Sequence, residues 1–260
     1  MTDRSSEALS GAERSTQGNR TAPSVRWVAH RGWSSRFAEN SLAAFGAAVA
    51  AGADEIEFDV RHSSDGVPVV LHDPVVDRVS TLRGPVASFT AAELRAATIT
   101  AHGASFPNMG LASLEQVLDL FAPHVGMNIH VKTLGDEAAT LGRIADAATR
   151  HPNRHIYIAG DEEVLEAAIR VCPAVPRCCL ARQREPAALL AAALRYACSG
   201  LQYRVNAHDD PEAVAEAKAR GLFRNMFYAD TPADAQRAIA LGIDGVLTND
   251  VGFVMPQVRG

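Results

Sequence analysis

The feature that most constrains the fold is a regular alternation of short apolar strands with helical segments. Helical segments separate eight principal predicted strands, which cover residues 25–29, 54–62, 126–133, 155–159, 177–180, 200–204, 222–228 and 244–248. Strands that alternate with helices pair in parallel, and eight such units in a chain of this length indicate an α/β fold, a closed (β/α)8 TIM barrel. A doubly wound open sheet is the alternative. That fold normally has a glycine-rich phosphate turn after its first strand, and His30-Arg31-Gly32-Trp33 is not such a turn.

The alternation is interrupted once, and a polar segment precedes it. After the second strand, a tight turn at residues 63–66 leads into a short returning strand, and no regular pattern follows over about residues 77–110. We interpret that stretch as a small insertion after strand 2. Residues 1–23 are polar and lack the apolar centre of a secretory signal. We therefore predict a disordered tail over residues 1–23, followed by a single barrel domain over residues 24–260.

Composition limits the partners and the location of the protein. Hydrophobic residues make up 47% of the chain, enough for a large core, and no stretch approaches the length of a membrane span. The net charge of −5 and the lack of a basic block argue against nucleic acid as a partner. The four cysteines, Cys172, Cys178, Cys179 and Cys198, lack a metal-binding spacing. Cys178 and Cys179 lie in an apolar run and are interpreted as buried core residues of a protein in a reducing, cytoplasmic compartment.

The second strand carries two carboxylates on one face. Glu57 and Asp59 alternate with Ile56, Phe58 and Val60, so one face of the strand is apolar and the other is acidic. Two adjacent anions on a buried strand repel each other and resist desolvation, so they need a compensating cation. A hard divalent metal ion is the natural candidate. The alternative is a solvated face of an antiparallel strand, where charged side chains need no partner.

Polar side chains also stand at the carboxyl ends of the neighbouring strands, which a barrel brings together on one rim. His30 and Arg31 end strand one, His72 ends the short returning strand, and His130 and Lys132 share one face of strand three. Seven groups therefore converge in the prediction: His30, Arg31, Glu57, Asp59, His72, His130 and Lys132.

The residue types in this set indicate the chemistry. Two histidines supply a general base and a general acid near neutral pH. A metal ion held by carboxylates polarises an anionic oxygen, and Arg31 and Lys132 add positive charge for a phosphate. No serine or cysteine stands at a strand end beside a base, which argues against nucleophilic catalysis by the protein. Cleavage of a small-molecule phosphodiester is the best fit.

Several motifs together resemble the glycerophosphodiester phosphodiesterase family, over nearly all of the chain after the tail. They are His30-Arg31-Gly32, Glu39-Asn40-Ser41, residues 52–60, Asp65-Gly66, residues 69–73 and residues 242–249. The resemblance implies a (β/α)8 barrel that hydrolyses glycerophosphodiesters to glycerol 3-phosphate and an alcohol. In the family's mechanism the glycerol 2-hydroxyl attacks phosphorus, and water then opens the resulting cyclic phosphate.

The resemblance also implies roles for six of the seven residues. It makes His30 and His72 the catalytic acid/base pair, Glu57 and Asp59 the metal ligands, and Arg31 and Lys132 the groups that bind the phosphate. It leaves open which histidine is the acid and which is the base.

Two departures from the family pattern are visible. The third metal ligand of the family is a glutamate, and His130 occupies that position here. Imidazole lowers the negative charge of the site by one, so a softer ion such as Zn becomes possible beside Mg, Ca or Mn. The late Trp-Thr-Val-Asn segment is replaced by residues 227–230, which keep an aromatic wall. Asp230 there contacts substrate or, as we favour, caps the helix that begins near Thr231-Pro232.

Other residues near the predicted site are expected to have supporting roles. Glu39 is expected to hydrogen-bond to a catalytic histidine, Asn40 to cap the first helix, and one of Gln202 and Arg204 to reach the pocket. The remaining histidines are treated as structural or surface residues: His62, His102, His124, His151, His155 and His208.

Two other functions remain as alternatives. One is a lyase, like phospholipase D toxins on a similar barrel, that releases the cyclic phosphate. The other is a barrel that binds a phosphate ligand without turnover.

Overall fold

The structure is a computed structural model, and it describes residues 25–259. The predicted tail, residues 1–23, lies outside the described residues. Eleven strands are found in this part of the chain: β1 (Arg26–His30), β2 (Glu55–His62), β3 (Pro68–Val70), β4 (Ile99–Ala101), β5 (Ala104–Phe106), β6 (Gly126–Val131), β7 (Ile156–Gly160), β8 (Arg177–Cys179), β9 (Gly200–Arg204), β10 (Phe223–Phe227) and β11 (Gly245–Thr248).

Nine α-helices accompany these strands over residues 25–259. They are α1 (Leu42–Ala50), α2 (Ala91–Ala96), α3 (Leu114–Phe121), α4 (Glu137–Arg150), α5 (Glu162–Val171), α6 (Pro186–Arg195), α7 (Pro211–Ala219), α8 (Pro232–Leu241) and α9 (Val251–Arg259). Within this described segment, no helix combines the length and the apolar character that crossing a bilayer requires.

Eight of the strands form a closed parallel barrel: β1, β2, β6, β7, β8, β9, β10 and β11. Each pairs in parallel with the next, and β1 pairs with both β11 and β2, which closes the sheet. Helices connect the consecutive barrel strands. The predicted (β/α)8 barrel is therefore confirmed.

The two faces of β2 have the environments that its sequence pattern predicts. Phe58 is fully buried and packs against Phe45 of α1, with ring centroids 5.6 Å apart. The apolar face of β2 therefore faces the helices. Since alternate side chains of a strand point to opposite sides, Glu57 and Asp59 point into the barrel, where they are buried.

The segment between β2 and β6 forms a small core of its own. β3 pairs antiparallel with the end of β2, and β4 and β5 form a separate hairpin that the sequence analysis did not predict. A second apolar cluster lies under these elements and includes Leu71, Val79, Leu94, Ile99 and Leu111. The cluster also contains Ala38 from the loop after β1, so the insertion packs beside the carboxyl end of the barrel.

The first helix begins one residue later than expected. Ser41 is the N-cap of α1, and its side chain accepts a hydrogen bond from the backbone of Ala44. Asn40 has a φ of 56°, in the left-handed region, and its side chain bonds elsewhere. The prediction that Asn40 caps this helix is wrong, because the side chain of Asn40 hydrogen-bonds to Asp59 on β2 instead.

Gly32 is required where the chain leaves β1. Its φ is +78°, and a Cβ atom built on it would lie 2.7 Å from the carbonyl carbon of Ala44. We expect Gly32→Ala to lower the free energy of unfolding by about 2–4 kcal/mol, because the new methyl group meets backbone in a strained conformation. Urea unfolding followed by circular dichroism measures this loss.

Gly46→Ala is the matched control, because Gly46 lies in α1 and a Cβ atom added to it would meet nothing within 4 Å. That variant is expected to keep or slightly raise the stability, since alanine favours helix. Equal stability of Gly32→Ala and the unaltered protein would contradict the close approach described for this turn.

Candidate active site

The register of the barrel brings the predicted residues together at the carboxyl ends of the first three barrel strands. His30, the last residue of β1, is paired with Glu57 on β2, and Asp59 is paired with His130 on β6. Lys132 follows the end of β6, and its Nζ lies 3.2 Å from Asp59 Oδ1. The structure therefore brings these side chains into one cluster, as the sequence predicted.

Glu57, Asp59 and His130 form the one group of side chains among residues 25–259 with a geometry suited to a metal ion. One ligand atom from each lies within 4.8 Å of the others. Burial, reinforced by the charge of Asp59, raises the pKa of Glu57. The pKa of Asp59 is held well below its usual range against the effect of burial, by a hydrogen bond from His130 and by the charges of His130, Lys132 and Arg31. Ionising Glu57 beside the Asp59 anion therefore costs free energy unless a cation is bound between them.

Asp59 is held in place by a residue to which sequence reasoning gave another role. The side-chain amide of Asn40 donates to Asp59 Oδ2 over 3.0 Å, and its oxygen accepts from the backbone N–H of Asp59 over 3.3 Å. Asn40 is itself buried. This two-point contact fixes the carboxylate, and the only signal for it in the sequence was the Glu39-Asn40-Ser41 motif.

His30 is oriented by Asn249, which follows β11, and Asn249 is held in turn by Asp230, which lies after β10. Its Nδ1 lies 2.7 Å from the side-chain oxygen of Asn249, whose own amide nitrogen donates to Asp230 over 2.7 Å. The side-chain nitrogen of Asn249 donates to Asp230, so the side-chain oxygen of Asn249 faces His30. That oxygen accepts a hydrogen bond from the Nδ1–H group of His30. His30 Nε2 then carries the lone pair, 3.8 Å from Glu57. Burial and the charge of Arg31 lower the pKa of His30 to about 4.

Asp230 therefore has a different role from the one predicted. The N-cap of α8 is Thr231, whose hydroxyl accepts from the backbone of Asp234. Asp230 instead accepts hydrogen bonds from the backbone and side chain of Asn249. The expectation that Asp230 caps the helix is wrong, because the carboxylate turns toward β11 and supports the group that holds His30.

His72 is oriented by a second carboxylate. Its Nδ1 lies 2.7 Å from Asp73, and the other oxygen of Asp73 accepts from Arg78 over 2.7 Å. Arg78 also donates to both oxygens of Glu39. Although partial burial opposes the change, the hydrogen bonds from Arg78 and His72 lower the pKa of Asp73 to about 2. Asp73 is thus an anion that accepts a hydrogen bond from His72 Nδ1 and orients the ring.

Within residues 25–259 Glu39 hydrogen-bonds to two arginines and to no histidine, so the expectation for Glu39 is wrong. It bonds to Arg78 and to Arg31, whose Nη1 lies 3.1 Å from Glu39 Oε1. Although burial opposes the change, the hydrogen bond from Arg78 and the charge of Arg31 lower the pKa of Glu39. Two carboxylates therefore hold the insertion residue Arg78 against the barrel rim.

The two predicted phosphate-binding cations lie at the opening of the cluster. The backbone N–H of Arg31 donates to Glu57 over 3.0 Å, and its side chain reaches Glu39. Arg31 Nε is buried, and in the described part of the chain it has no hydrogen-bond partner. The side chains of Arg31 and Lys132 remain 18% and 17% exposed, so both are accessible to an anionic ligand.

An aromatic wall closes the side of the cluster next to His30. The rings of Phe227 and Tyr228 lie 6.2 and 5.2 Å from the imidazole of His30, between ring centroids. Arg204 is exposed beside this wall. Gln202 is buried and accepts a hydrogen bond from Asn128 inside the barrel.

The remaining histidines and cysteines lie outside the cluster. His62 is bonded between Thr133 and Thr140, and His155 contacts Glu55 near the opposite end of the barrel. The four cysteines are free and buried, which confirms the burial predicted for Cys178 and Cys179.

Comparisons with known proteins agree with this arrangement. A model of the glycerophosphoryl diester phosphodiesterase family matches residues 30–253. The glycerophosphodiester phosphodiesterase of Caldanaerobacter subterraneus subsp. tengcongensis is 28% identical over 255 residues, which cover 89% of this chain and 97% of the relative. An uncharacterized Bacillus subtilis protein, YqiK, is 29% identical over 232 residues, which cover 85% of this chain and 93% of the relative.

Solved structures share the fold. An Oleispira antarctica phosphodiesterase in complex with the product sn-glycerol-3-phosphate has a TM-score of 0.79 and 22% identity, with 90% of this chain and 97% of that chain covered. A glycerophosphodiester phosphodiesterase from Agrobacterium tumefaciens has a TM-score of 0.77 and 22% identity, with 89% of this chain and 99% of that chain covered. The family model matches most of the chain, from His30 at the end of β1 to Phe253 in α9, so this chain belongs to the glycerophosphoryl diester phosphodiesterase family and is a phosphodiesterase built on a (β/α)8 barrel.

Proposed function

We propose that this enzyme is a metal-dependent phosphodiesterase that hydrolyses glycerophosphodiesters to glycerol 3-phosphate and an alcohol. The observation that carries the proposal is the convergence, on one rim of the barrel, of two oriented histidines, a buried carboxylate pair and two accessible cations. The named activity of the Caldanaerobacter relative and the product bound in the Oleispira structure support this choice of substrate.

Glu57, Asp59 and His130 would hold the metal ion. Two carboxylates and an imidazole suit a divalent cation, and the raised pKa of Glu57 beside Asp59 supports the need for a compensating charge. When bound, the ion polarises a phosphoryl oxygen and offsets the negative charge of the phosphate. Mg, Ca or Mn fits the carboxylates, while the imidazole shifts the preference toward softer ions such as Zn.

Each histidine carries out one proton transfer in the first step: His30 acts as the base and His72 as the acid. The contact with Asn249 supports a tautomer of His30 that carries its proton on Nδ1, and in this mechanism His30 Nε2 accepts the proton of the glycerol 2-hydroxyl. The hydroxyl oxygen forms a bond to phosphorus while the bond from phosphorus to the leaving oxygen breaks. His72, oriented by its contact with Asp73, gives a proton to the leaving alkoxide. Arg31 and Lys132 bind the phosphate oxygens throughout.

The same residues then open the cyclic phosphate. His72, now neutral, accepts a proton from water as the water oxygen bonds to phosphorus. The bond from phosphorus to the 2-oxygen breaks, and His30 returns its proton to that oxygen. Both histidines end the cycle in their starting protonation states, with glycerol 3-phosphate as the product.

Restoring metal to stripped protein tests this proposal. We expect that a divalent ion returns the release of glycerol 3-phosphate from glycerophosphocholine or glycerophosphoethanolamine. We expect His130→Glu to shift the preferred ion from Zn or Mn toward Mg or Ca by about tenfold in apparent affinity, because a harder ligand replaces imidazole. Turnover with Mg, Ca, Mn and Zn, together with calorimetric metal binding, measures both effects.

His124→Glu is the matched control, because His124 is exposed and lies outside the metal cluster. Its metal preference should equal that of the unaltered enzyme. An unchanged preference in His130→Glu would remove His130 from the ligand set. Failure of every ion and every diester to give product would leave the binding barrel as the better interpretation.

A further inference from the structure

The side chain of His72 is the more exposed of the two catalytic imidazoles. It is 33% exposed, whereas the side chain of His30 is 10% exposed. Its Nδ1 lies 2.7 Å from Asp73, whose own side chain is 26% exposed. A partly exposed imidazole samples several rotamers unless a fixed partner holds it. The orientation of His72 therefore depends on what holds Asp73.

Asp73 is held by Arg78, a residue of the insertion. Arg78 Nε donates to Asp73 Oδ2 over 2.7 Å. The Nη1 and Nη2 atoms of Arg78 donate to the two oxygens of Glu39 over 2.6 and 2.8 Å. Three nitrogens of one planar guanidinium thus bind two carboxylates, and charge-assisted bonds of this kind fix direction as well as distance.

The Arg78 side chain and backbone are both fixed to the fold. Glu39, which binds the guanidinium, also accepts from Arg31, the residue that follows β1, over 3.1 Å. The backbone beside Arg78 is anchored because Val76 and Val79 are buried in the apolar cluster of the insertion. The guanidinium is therefore held between the rim of the barrel and the core of the insertion.

Removing this guanidinium would leave two carboxylates without the cation that they share. Glu39 and Asp73 would then repel each other, because both bind Arg78 in the folded protein. Asp73 would keep its contact with His72 but lose the group that fixes the direction of its carboxylate. The imidazole would then be held by a partner that is itself free to rotate.

We propose that Arg78 is a positioning residue for protonation of the leaving alcohol. Through Asp73, it holds His72 in the orientation from which the imidazole gives its proton to the departing oxygen. This inference rests on the proposed function, and it makes the insertion part of the machinery that positions His72. Arg78 acts through Asp73, so the effect of its loss should follow the need of the leaving group for an acid.

Two diesters with different leaving groups test the proposal. A choline alkoxide needs a proton to leave, whereas nitrophenolate leaves readily without one. We expect Arg78→Gln to lower kcat/KM about 10–100-fold for glycerophosphocholine, but less than about threefold for the p-nitrophenyl diester of glycerol 3-phosphate. The value of kcat/KM reports the steps up to departure of the leaving group. Weaker phosphate binding through Arg31 would affect both diesters and therefore cancels in the ratio.

Arg95→Gln is the matched control, because Arg95 is an exposed arginine on α2, in the same insertion. It should leave kcat/KM unchanged for both diesters, and circular dichroism checks that each variant is folded. Asp73→Ala should show the same selective loss as Arg78→Gln. The double variant should lie within about twofold of Asp73→Ala, because residues that act along one path are not additive.

The tautomer of His72 gives a readout that does not need turnover. The hydrogen bonds of an imidazole determine which ring nitrogen carries its proton. Nitrogen-15 NMR at about pH 9, where free imidazole is neutral, should find the His72 proton on Nδ1 in the unaltered protein. In Arg78→Gln the proton should be divided between the two ring nitrogens. The signal is assigned from its loss in His72→Gln.

The outcomes separate this inference from the proposed function. Equal losses for the two diesters in Arg78→Gln, or losses that multiply with those of Asp73→Ala, overturn the inference and leave the proposed function intact. If the unaltered enzyme hydrolyses neither diester with any metal ion, the proposed function fails and the tautomer decides the inference. A His72 proton that redistributes in Arg78→Gln then supports positioning by Arg78, and one that stays on Nδ1 overturns it.

Discussion

Replacing His30 or His72 with alanine is expected to lower kcat on glycerophosphocholine by about 10²–10⁴-fold, the usual contribution of a positioned acid or base. Each histidine has one ring nitrogen committed to a fixed partner, Asn249 or Asp73, and the other available for proton transfer. Removing either imidazole stops one of the two transfers that the reaction needs. Because both side chains lie at the rim, the barrel should remain folded.

Steady-state kinetics, with circular dichroism as the test of folding, measures this loss. His124→Ala is the matched control, because it removes an exposed imidazole from outside the cluster, and its kcat should equal that of the unaltered enzyme. Near-normal turnover by a folded His30→Ala or His72→Ala variant would remove the proposed acid/base pair.

Replacing Asp59 with asparagine is expected to weaken metal binding at least about 100-fold and to lower turnover to a similar extent, because ligands and their supporting groups act together. Asp59 lies within 3.5 Å of Arg31, His130 and Lys132, and Asn40 fixes its orientation. The asparagine side chain has the same shape and volume as aspartate, but it lacks the negative charge that attracts these three side chains. The variant thus separates the effect of charge from the effect of packing.

The thermal shift on adding metal gives a measure of this loss that is independent of catalysis. A ligand that binds only the folded state raises the melting temperature, so saturating metal should stabilise the unaltered enzyme and have little effect on Asp59→Asn. Asp119→Asn, at an exposed site on α3, should respond to metal like the unaltered enzyme. A normal metal shift in Asp59→Asn would show that the carboxylate is not a ligand.

The barrel was predictable because the sequence patterns that indicate its strands and helices each lie within a short stretch of the chain. Short segments rich in apolar residues alternate with helical segments, and the predicted strand boundaries fall within two residues of those in the structure. The carboxylate strand shows the same logic, since its period of two places Ile56 and Phe58 on one face and Glu57 and Asp59 on the other. The β4–β5 hairpin was missed because its strands have three residues each, too few to show a period.

The groups that orient the site were not predictable in the same way. Asn249 lies 219 residues from His30 along the chain, and Arg78 lies 39 residues from Glu39. Such pairs depend on the register of the closed barrel and on how the insertion packs, and neither leaves a local pattern. Asp230 and Asn40 were assigned to helix caps because Asp and Asn favour that role. The neighbouring Thr231 and Ser41 fill both caps, which frees the two side chains for the site.

Phosphorus NMR of the reaction tests most directly whether His30 and His72 carry out both halves of a hydrolysis. The metal-loaded enzyme is incubated with glycerophosphocholine, and the phosphorus signals are followed over time. We predict that the diester signal is replaced by that of glycerol 3-phosphate, with no lasting cyclic phosphate. Accumulation of the cyclic phosphate as the end product would make the protein a lyase, and an unchanged diester signal under all metal conditions would contradict the catalytic account altogether.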